Sequence, residues 1–164
     1  MGDAMNHEHR RKPNRIPDFD YSQNYAYFIT MCAENRQCVF GAVVDGGEGQ
    51  AALIRLSDVG MIADQSIQAI PVHYPSVRLE NYVIMPNHIH LLLRLENPAG
   101  EKAVSVSKVI QQFKGYVTKQ IGRSVWQKLY YDHVIRDAND FAVRWQYIEN
   151  NPYRWLEDKY YICE

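Results

Sequence analysis

Residues 77–95 read VRLENYVIMPNHIHLLLRL and determine the fold class more than any other stretch of the chain. Both halves are rich in β-branched, aromatic and aliphatic residues, and Pro86 and Asn87 separate them. We therefore predict two strands, at 77–85 and 89–95. Strands joined by so short a link pair in an antiparallel manner.

The rest of the chain alternates between strand-like and helix-like patterns. Further strands are predicted at 25–32, 39–44 and 51–56, and helices at 57–70, 105–121 and 139–150. Proline or glycine ends each helix, at Pro71, Gly122 and Pro152. We interpret 126–136, which is rich in Trp and Tyr, as a connection. This order indicates an α+β fold, a single domain with a mostly antiparallel β-sheet and helices packed on it.

Length and composition limit the class of protein. The chain has 164 residues, of which 46% are hydrophobic and 23% charged, which suits one globular domain and excludes collagen-like and broadly disordered chains. We expect a flexible basic N-terminal arm at 1–20 and a single domain at 21–164. No apolar run approaches the roughly 20 residues that cross a bilayer, and the three cysteines lack metal-binding spacing. These features favour a cytoplasmic protein with reduced thiols and no membrane association.

Positive charge is concentrated in one part of the chain, although the net charge is only -1. Between 102 and 136, seven basic residues accompany one acid, Asp132. Such an excess can hold phosphates, and the alternative is an ordinary solvated face. The candidates for DNA contact, with Trp126 as a stacking platform for unpaired bases, are Lys108, Lys114, Lys119, Arg123, Trp126 and Arg136.

Two histidines alternate along the predicted strand at 89–95. His88 and His90 share one face of it, because side chains two residues apart on a strand point the same way, whereas Ile89 and Leu91 face the other side. Two neutral imidazoles at this spacing can ligate one cation. The alternative is a pair of histidines on a partly solvated face of the sheet.

The last predicted helix carries a second candidate group. Tyr147 and Asn151 are four residues apart and lie on one side of the helix, together with Arg144 and Asp140. The apolar residues predicted to face inward are Phe141, Trp145 and Ile148. Tyr147 lies beside that stripe, so its hydroxyl can face a cleft, although a half-buried tyrosine near a helix end also serves simple packing.

Both groups occur within a larger resemblance. The stretch 81–92, NYVIMPNHIHLL, resembles the His-hydrophobic-His (HUH) strand of the single-tyrosine transposases. The segments 126–127, 131–136 and 147–152 (WQ, YDHVIR and YIENNP) resemble the C-terminal half of the same family. The similarity is greatest to the REP-associated tyrosine transposases (RAYTs) and spans about 25–155. It implies the ferredoxin-like HUH endonuclease fold.

The resemblance also implies roles for particular residues. His88 and His90 become ligands of Mg²⁺ or Mn²⁺, and Tyr147 becomes the nucleophile. Asn151 stands where family members often place a glutamine as a third metal ligand. The implied activity is metal-dependent cleavage and strand transfer of single-stranded DNA near hairpin-containing repeats, through a covalent 5′-phosphotyrosine. Insertion-sequence members of the family are dimers, whereas RAYT-like members include monomers, so a homodimer and a monomer both stay open.

Other interpretations compete with this one. Tyr116, Tyr130, Tyr131 and Tyr153 also lie in or near the basic half, and Tyr147 is preferred because it matches the family motif. A histidine-triad nucleotide hydrolase would need a third alternating histidine, where this chain has Leu92. A hairpin-binding protein derived from a transposase, which binds single-stranded DNA without cutting it, is compatible with the same sequence.

Overall fold

The computed structural model of the chain describes residues 15–44, 46–48 and 53–157. The strands are β1 (Ala26–Cys32), β2 (Gly41–Val44), β3 (Leu53–Leu56), β4 (Val77–Ile84), β5 (His88–Leu95) and β6 (Tyr131–Ile135). The helices are α1 (Asp58–Gln68), α2 (Ile70–His73), α3 (Val106–Ile121) and α4 (Ala138–Asn150), and 3₁₀ turns occur at Glu34–Arg36 and Pro152–Glu157. No helix in these ranges is long and apolar enough to span a bilayer.

The main sheet has four strands in the order β4-β5-β1-β6, and every neighbouring pair is antiparallel. β2 and β3 form a separate two-stranded hairpin. Apart from that hairpin, the short helix α2 and the final helix α4, the succession β1, α1, β4, β5, α3, β6 is the β-α-β-β-α-β arrangement of ferredoxin-like folds. The predicted class, an α+β domain with a mostly antiparallel sheet, is confirmed.

The two faces of the sheet bury different residues. Ile89, Leu91 and Leu93 of β5 enter the large apolar core, which also contains Ile67 of α1 and Phe113 of α3. The opposite face has a smaller apolar cluster, composed of Ala26, Phe28, Leu92, Ile135 and Ile148. Ile148 belongs to α4, so α4 covers the face that α1 and α3 leave open. The alternation of β5 thus places its two histidines on one face, as predicted, and the structure shows that this face is the one beneath α4.

The connection predicted at 126–136 contains a strand. β6 pairs with β1 over Ala26↔Ile135 to Thr30↔Tyr131 and forms one edge of the sheet. Its alternation of exposed and buried residues is only five residues long, and the flanking Trp and Tyr residues obscure it in the sequence. The correction matters because β6 brings His133 next to Phe28 on the α4 face.

Most helix boundaries agree with the sequence signals. The Ser57 hydroxyl accepts a hydrogen bond from the Gly60 amide at 3.0 Å, and Ser105 caps α3 in the same way. Gly122 ends α3 in the left-handed conformation, with φ 83°. Pro71 was predicted to end a helix, but it lies in the first turn of α2, where its missing amide hydrogen costs no hydrogen bond.

The predicted arm at 1–20 lies outside the described residues up to position 14. From Arg15 onward the chain contacts the domain. An Arg15 Nη group donates to the Tyr130 hydroxyl at 2.8 Å, and the Ile16 amide donates to the Tyr21 hydroxyl at 3.0 Å. The Phe19 ring meets the Tyr21 ring edge to face. These contacts tie 15–20 to the end of the sheet that carries β6.

Candidate active site

His88 and His90 lie side by side at the start of β5. Their side chains share the α4 face, and both are buried, with 0% and 1% of their surface exposed. The ring centroids are 4.6 Å apart and the planes are inclined by 71°. Two imidazoles this close can bind one ion from adjacent directions. The predicted placement of the pair on one face of the strand is therefore what the structure shows.

Hydrogen bonds at Nδ1 orient both rings. Nδ1 of His90 lies 2.8 Å from the hydroxyl of Thr30, its register partner on β1. Nδ1 of His88 lies 2.8 Å from Oδ1 of Asn87, whose amide nitrogen donates to the Arg36 carbonyl at 3.2 Å. Because that donation assigns Oδ1 as the acceptor, neutral His88 carries its proton on Nδ1 and its lone pair on Nε2. Nε2 is the nitrogen that each ring would offer to a metal, since Thr30 and Asn87 engage Nδ1 and thereby fix the orientation of the rings.

Tyr147 packs directly against His90. Its ring centroid lies 5.1 Å from that of His90 and 5.9 Å from that of Phe28, and both contacts are edge to face. Phe28 in turn stacks on His90 at 5.1 Å. The Tyr147 side chain is 37% exposed, so one part of it contacts the buried rings and another part can meet a ligand from solvent.

Asn151 lies between two aromatic residues that contact the histidines. It follows Tyr147 by four residues at the end of α4, and Trp155 lies four residues further on in the 3₁₀ segment, with its ring 6.1 Å from the His88 ring. Asn151 is 4% exposed, and its Nδ2 points at the Tyr147 carbonyl over 3.5 Å. Its Oδ1 is buried and has no hydrogen-bond partner among the described residues.

The donor set fits a metal ion. Within the part of the chain that the structure describes, no group of three or more His, Cys, Asp or Glu side chains comes together. The carboxamide oxygen of Asn151, which is buried without a hydrogen-bond partner among the described residues, is an oxygen donor that would complement two imidazole ligands. Oxygen and imidazole ligands together suit Mn²⁺, and Mg²⁺ accepts the oxygen. Trp155 has no role in the sequence prediction; its spacing of four residues from Asn151 is the signal that could have indicated it.

A charged network adjoins the Tyr147 ring. Asp140 accepts a hydrogen bond from Nε of Arg144 at 3.4 Å and pairs with Nε2 of His133 at 2.6 Å. The Arg144 guanidinium lies over the Phe28 ring, 5.2 Å from its centroid. Burial acts to raise the pKa of Asp140, but the hydrogen bond and charge of His133, together with Arg144, lower it overall. The sequence placed Asp140 and Arg144 beside Tyr147; it missed His133 because β6 was not recognised.

The predicted DNA-binding residues do not converge on this site. Lys108, Lys114 and Lys119 belong to α3, on the opposite face of the sheet. Lys114 donates to the Gln127 carbonyl at 2.7 Å, and burial lowers its pKa. Trp126 is 6% exposed, packs against Phe40 and Phe113 and donates its indole N–H to the Lys114 carbonyl. In this structure Lys114 and Trp126 therefore contribute to packing, and their predicted contacts with DNA stay a prediction.

The remaining predicted contacts and competing tyrosines have varied positions. Arg123 is exposed just beyond α3, and Arg136 is exposed beside the start of α4, where it borders a cleft with Arg94 and Phe141. Trp145, predicted to face inward, is 37% exposed, since the α4 side chains that contact the sheet are Phe141 and Ile148. Among the competing tyrosines, Tyr116 is on α3, whereas Tyr131 shares a cross-strand row with Thr30 and His90.

Comparison with known proteins supports the resemblance. No family model matches the chain. It is 29% identical to an uncharacterized protein of Haemophilus influenzae over 176 residues, 94% of each chain. It is 30% identical over 91 residues to a Haemophilus influenzae protein provisionally named a REP-associated tyrosine transposase, an alignment that covers 49% of this chain and 51% of that protein.

A solved structure shares the fold. It is that of a REP-associated tyrosine transposase bound to a REP hairpin, with a TM-score of 0.62 and 20% identity, covering 83% of this chain and 71% of that one. This chain resembles the REP-associated tyrosine transposases. The crystal structure of a protein provisionally described as a transposase from Deinococcus radiodurans is also similar, with a TM-score of 0.47, 17% identity and coverage of 83% and 95%.

Proposed function

We propose that this transposase-like chain is a metal-dependent endonuclease and strand transferase acting on single-stranded DNA beside hairpins, through a covalent 5′-phosphotyrosine. The observation that carries the proposal is the packing of the Tyr147 ring against His90, with His88 beside it and the Asn151 oxygen buried on the same helical face as Tyr147. A nucleophile next to a metal site is the minimum arrangement for this chemistry.

The ligand set consists of Nε2 of His88 and His90 and Oδ1 of Asn151, and the bound ion is Mg²⁺ or Mn²⁺. When bound, the ion supplies Lewis-acid stabilisation of charge on the scissile phosphate. Thr30 and Asn87 hold the two imidazoles in the ligating orientation through their Nδ1 hydrogen bonds. The protein thereby fixes the site before DNA arrives, which avoids reorganisation during the reaction.

Tyr147 performs the cleavage. Its hydroxyl oxygen attacks the phosphorus, an O–P bond forms to the tyrosine, and the bond from phosphorus to the 3′ oxygen breaks. The phenol proton leaves to solvent, and the departing 3′ oxygen takes up a proton to become a 3′-OH. Because the phosphoester bond is exchanged and not hydrolysed, a 3′-OH can attack the phosphotyrosine and rejoin two strands without ATP.

Hairpin DNA is the proposed partner. The structural relative was determined with a REP hairpin bound, and exposed basic residues such as Arg136 lie beside the start of α4. Proteins recognise hairpins that carry a few unpaired bases through contacts with the nucleic-acid backbone and through stacking on the bases. The proposal allows either a homodimer or a monomer. Light scattering with and without the hairpin decides between the two.

The test is a search for a covalent adduct. Labelled single-stranded hairpin oligonucleotides from DNA flanking the coding region are incubated with the protein and Mn²⁺ or Mg²⁺, then run on a denaturing gel. We expect a metal-dependent band that Tyr147→Phe and His88→Ala both abolish. Tyr131→Phe tests the competing tyrosine that shares a cross-strand row with Thr30 and His90, and Tyr116→Phe on α3 is the matched control that should keep full activity.

Two outcomes would redirect the proposal. A band that survives Tyr147→Phe and disappears in Tyr131→Phe moves the nucleophile to β6. Tight hairpin binding by wild-type protein without any adduct, in either metal, supports instead a hairpin-binding protein that does not cut. Binding is measured in the same samples by native gel shift, so that the two cases are distinguished in one experiment.

A further inference from the structure

Arg144 lies close to the proposed nucleophile but has no role in the reaction described above. Its guanidinium lies 5.2 Å from the centroid of the Phe28 ring. The same ring contacts Tyr147 edge to face and stacks on His90. Arg144 and Tyr147 are also one turn apart on α4, so a permanent positive charge lies next to the nucleophile.

Asp140 holds this guanidinium in place, and His133 in turn holds Asp140. Asp140, one turn earlier on α4, accepts from Nε at 3.4 Å with one carboxylate oxygen and pairs with His133 through the other at 2.6 Å. His133 is the register partner of Phe28, so the sheet itself sets the position of the carboxylate. With Nε directed at Asp140, the guanidinium still has the four N–H groups of its two Nη atoms, which form the fork that matches phosphate oxygens.

We propose that Arg144 is a phosphate-binding residue that contacts a non-bridging oxygen of the phosphodiester attacked by Tyr147, with Asp140 and His133 as its positioning residues. The identity of this phosphodiester rests on the proposed function. The competing explanation is a structural one, in which the ion pair and the stacking on Phe28 only fasten α4 to the sheet. The two explanations differ in whether the effect of Arg144 depends on charge in the DNA.

A double-mutant cycle, which combines a change in the protein with a change in the DNA, measures that dependence. The protein carries Tyr147→Phe, so that the DNA stays intact, and binding is followed by fluorescence anisotropy with the hairpin oligonucleotide used for the adduct assay. One linkage is replaced by an uncharged methylphosphonate, at the cleavage position mapped with wild-type protein. If wild type yields no cleavage, the methylphosphonate is placed at each linkage of the single-stranded segment in turn.

We expect Arg144→Gln to weaken binding of the phosphodiester DNA about 10- to 100-fold, the range of a lost charge-assisted hydrogen bond. On the methylphosphonate DNA the same change should have less than about a twofold effect, because the charged partner is absent. Arg144→Lys should recover part of the binding, since it restores the charge without the fork. Asp140→Asn should weaken binding less than Arg144→Gln and have no further effect when combined with it.

Arg78 provides a matched control. It pairs with Glu96 at 3.3 Å, much as Arg144 pairs with Asp140, but at the other end of the sheet from the histidines. Arg78→Gln removes the same charge and should change binding of both DNAs equally and slightly. Equal losses for Arg144→Gln on both DNAs would show a structural role and overturn the proposal, as would wild-type binding by this variant.

The result also separates this proposal from the proposed function. Wild-type protein that binds the hairpin but forms no adduct contradicts the nuclease, while the binding cycle still locates or excludes a phosphate at Arg144. An adduct together with a cycle that shows no coupling contradicts the role of Arg144 alone. Failure of the protein to bind any hairpin oligonucleotide contradicts both.

Discussion

The two faces of strand β5 bury different kinds of side chain. On one face Ile89, Leu91 and Leu93 are fully buried against α1 and α3. On the other, His88 and His90 are equally buried, yet they lie among hydrogen-bonding groups beneath α4. Burial alone therefore does not identify the function of a residue here; the partners of the buried atoms do.

The difference follows from the cost of burying polar groups. An apolar side chain gains stability from leaving water, whereas an imidazole pays for desolvation unless its nitrogens find partners. A chain that uses one face for stability can accept a less favourable arrangement on the other. We therefore expect changes on the α1 and α3 face to alter stability, and changes on the α4 face to alter activity.

The largest expected effect is on the α4 face. Tyr147→Phe removes one hydroxyl from a side chain that is already 37% exposed, so stability should change by less than about 0.5 kcal/mol. Adduct formation should fall below detection, since phenylalanine has no nucleophilic atom. Adduct yield and urea denaturation are measured on the same preparation. A variant that lost both would make Tyr147 a core residue and remove the contrast between the faces.

The matching experiment on the opposite face is Leu91→Ala. Leu91 is fully buried between the sheet and the helices, so the substitution leaves a cavity and should cost about 2 to 5 kcal/mol of unfolding free energy. Adduct yield per folded molecule should stay close to that of wild type, because the side chain points away from the histidines. Urea midpoints and adduct assays at low temperature test both parts. A selective loss of activity at unchanged stability would contradict the separation.

The sequence predicted which residues share a face of β5 better than it predicted the residues that surround the two histidines. The spacing of His88 and His90 predicts a shared face directly, and Ser57, Ser105 and Gly122 mark helix ends through local hydrogen bonds or backbone conformation. These features depend on neighbours in the chain, so periodicity is enough to find them.

Features that depend on distant contacts were not predictable in this way. β6 exists because β1 offers it a hydrogen-bonding edge, and Trp126 is buried because Phe40 and Phe113 surround it. Counting positive charges likewise cannot show that the Lys114 ammonium donates to a backbone carbonyl. The packing of Lys114 and Trp126 was therefore visible only in the structure, and their proposed contacts with DNA stay a prediction.

Metal binding on the α4 face should increase the stability of the folded protein. An ion bound only by the folded chain adds about 2.7 kcal/mol at 100 times its dissociation constant. Mn²⁺ should therefore raise the melting temperature of wild type by several degrees, and His88→Ala should abolish the shift. His73→Ala is the control, since His73 lies in α2 away from the site. An equal shift in wild type and His88→Ala would mean that the ion binds elsewhere.

The smallest expected effect concerns a polar residue on the otherwise apolar, core-facing side of the sheet. Asp132 is a carboxylate on the core-facing side of β6, only 6% exposed. Its Oδ1 accepts a hydrogen bond from the Tyr21 hydroxyl at 2.9 Å, while its Oδ2 is buried without a hydrogen-bond partner among the described residues. Burial raises the pKa of Asp132 above its ordinary value of 3.8, against the opposing effects of Tyr21, Arg15 and His133.

The sign of the pH effect follows from that shift. Because the folded state holds the Asp132 proton more tightly than the unfolded state, the contribution of Asp132 to stability should fall as pH rises from about 3.8 through the folded-state pKa. Asp132→Asn does not titrate and keeps an acceptor for Tyr21, so its stability relative to wild type should increase over that interval and then level off. Urea denaturation between pH 4 and neutral pH measures the difference, with the exposed Glu101→Gln as control. A difference that stays constant with pH would show that folding does not change the proton affinity of this carboxylate, and that the core-facing side tolerates a charge as well as the α4 side does.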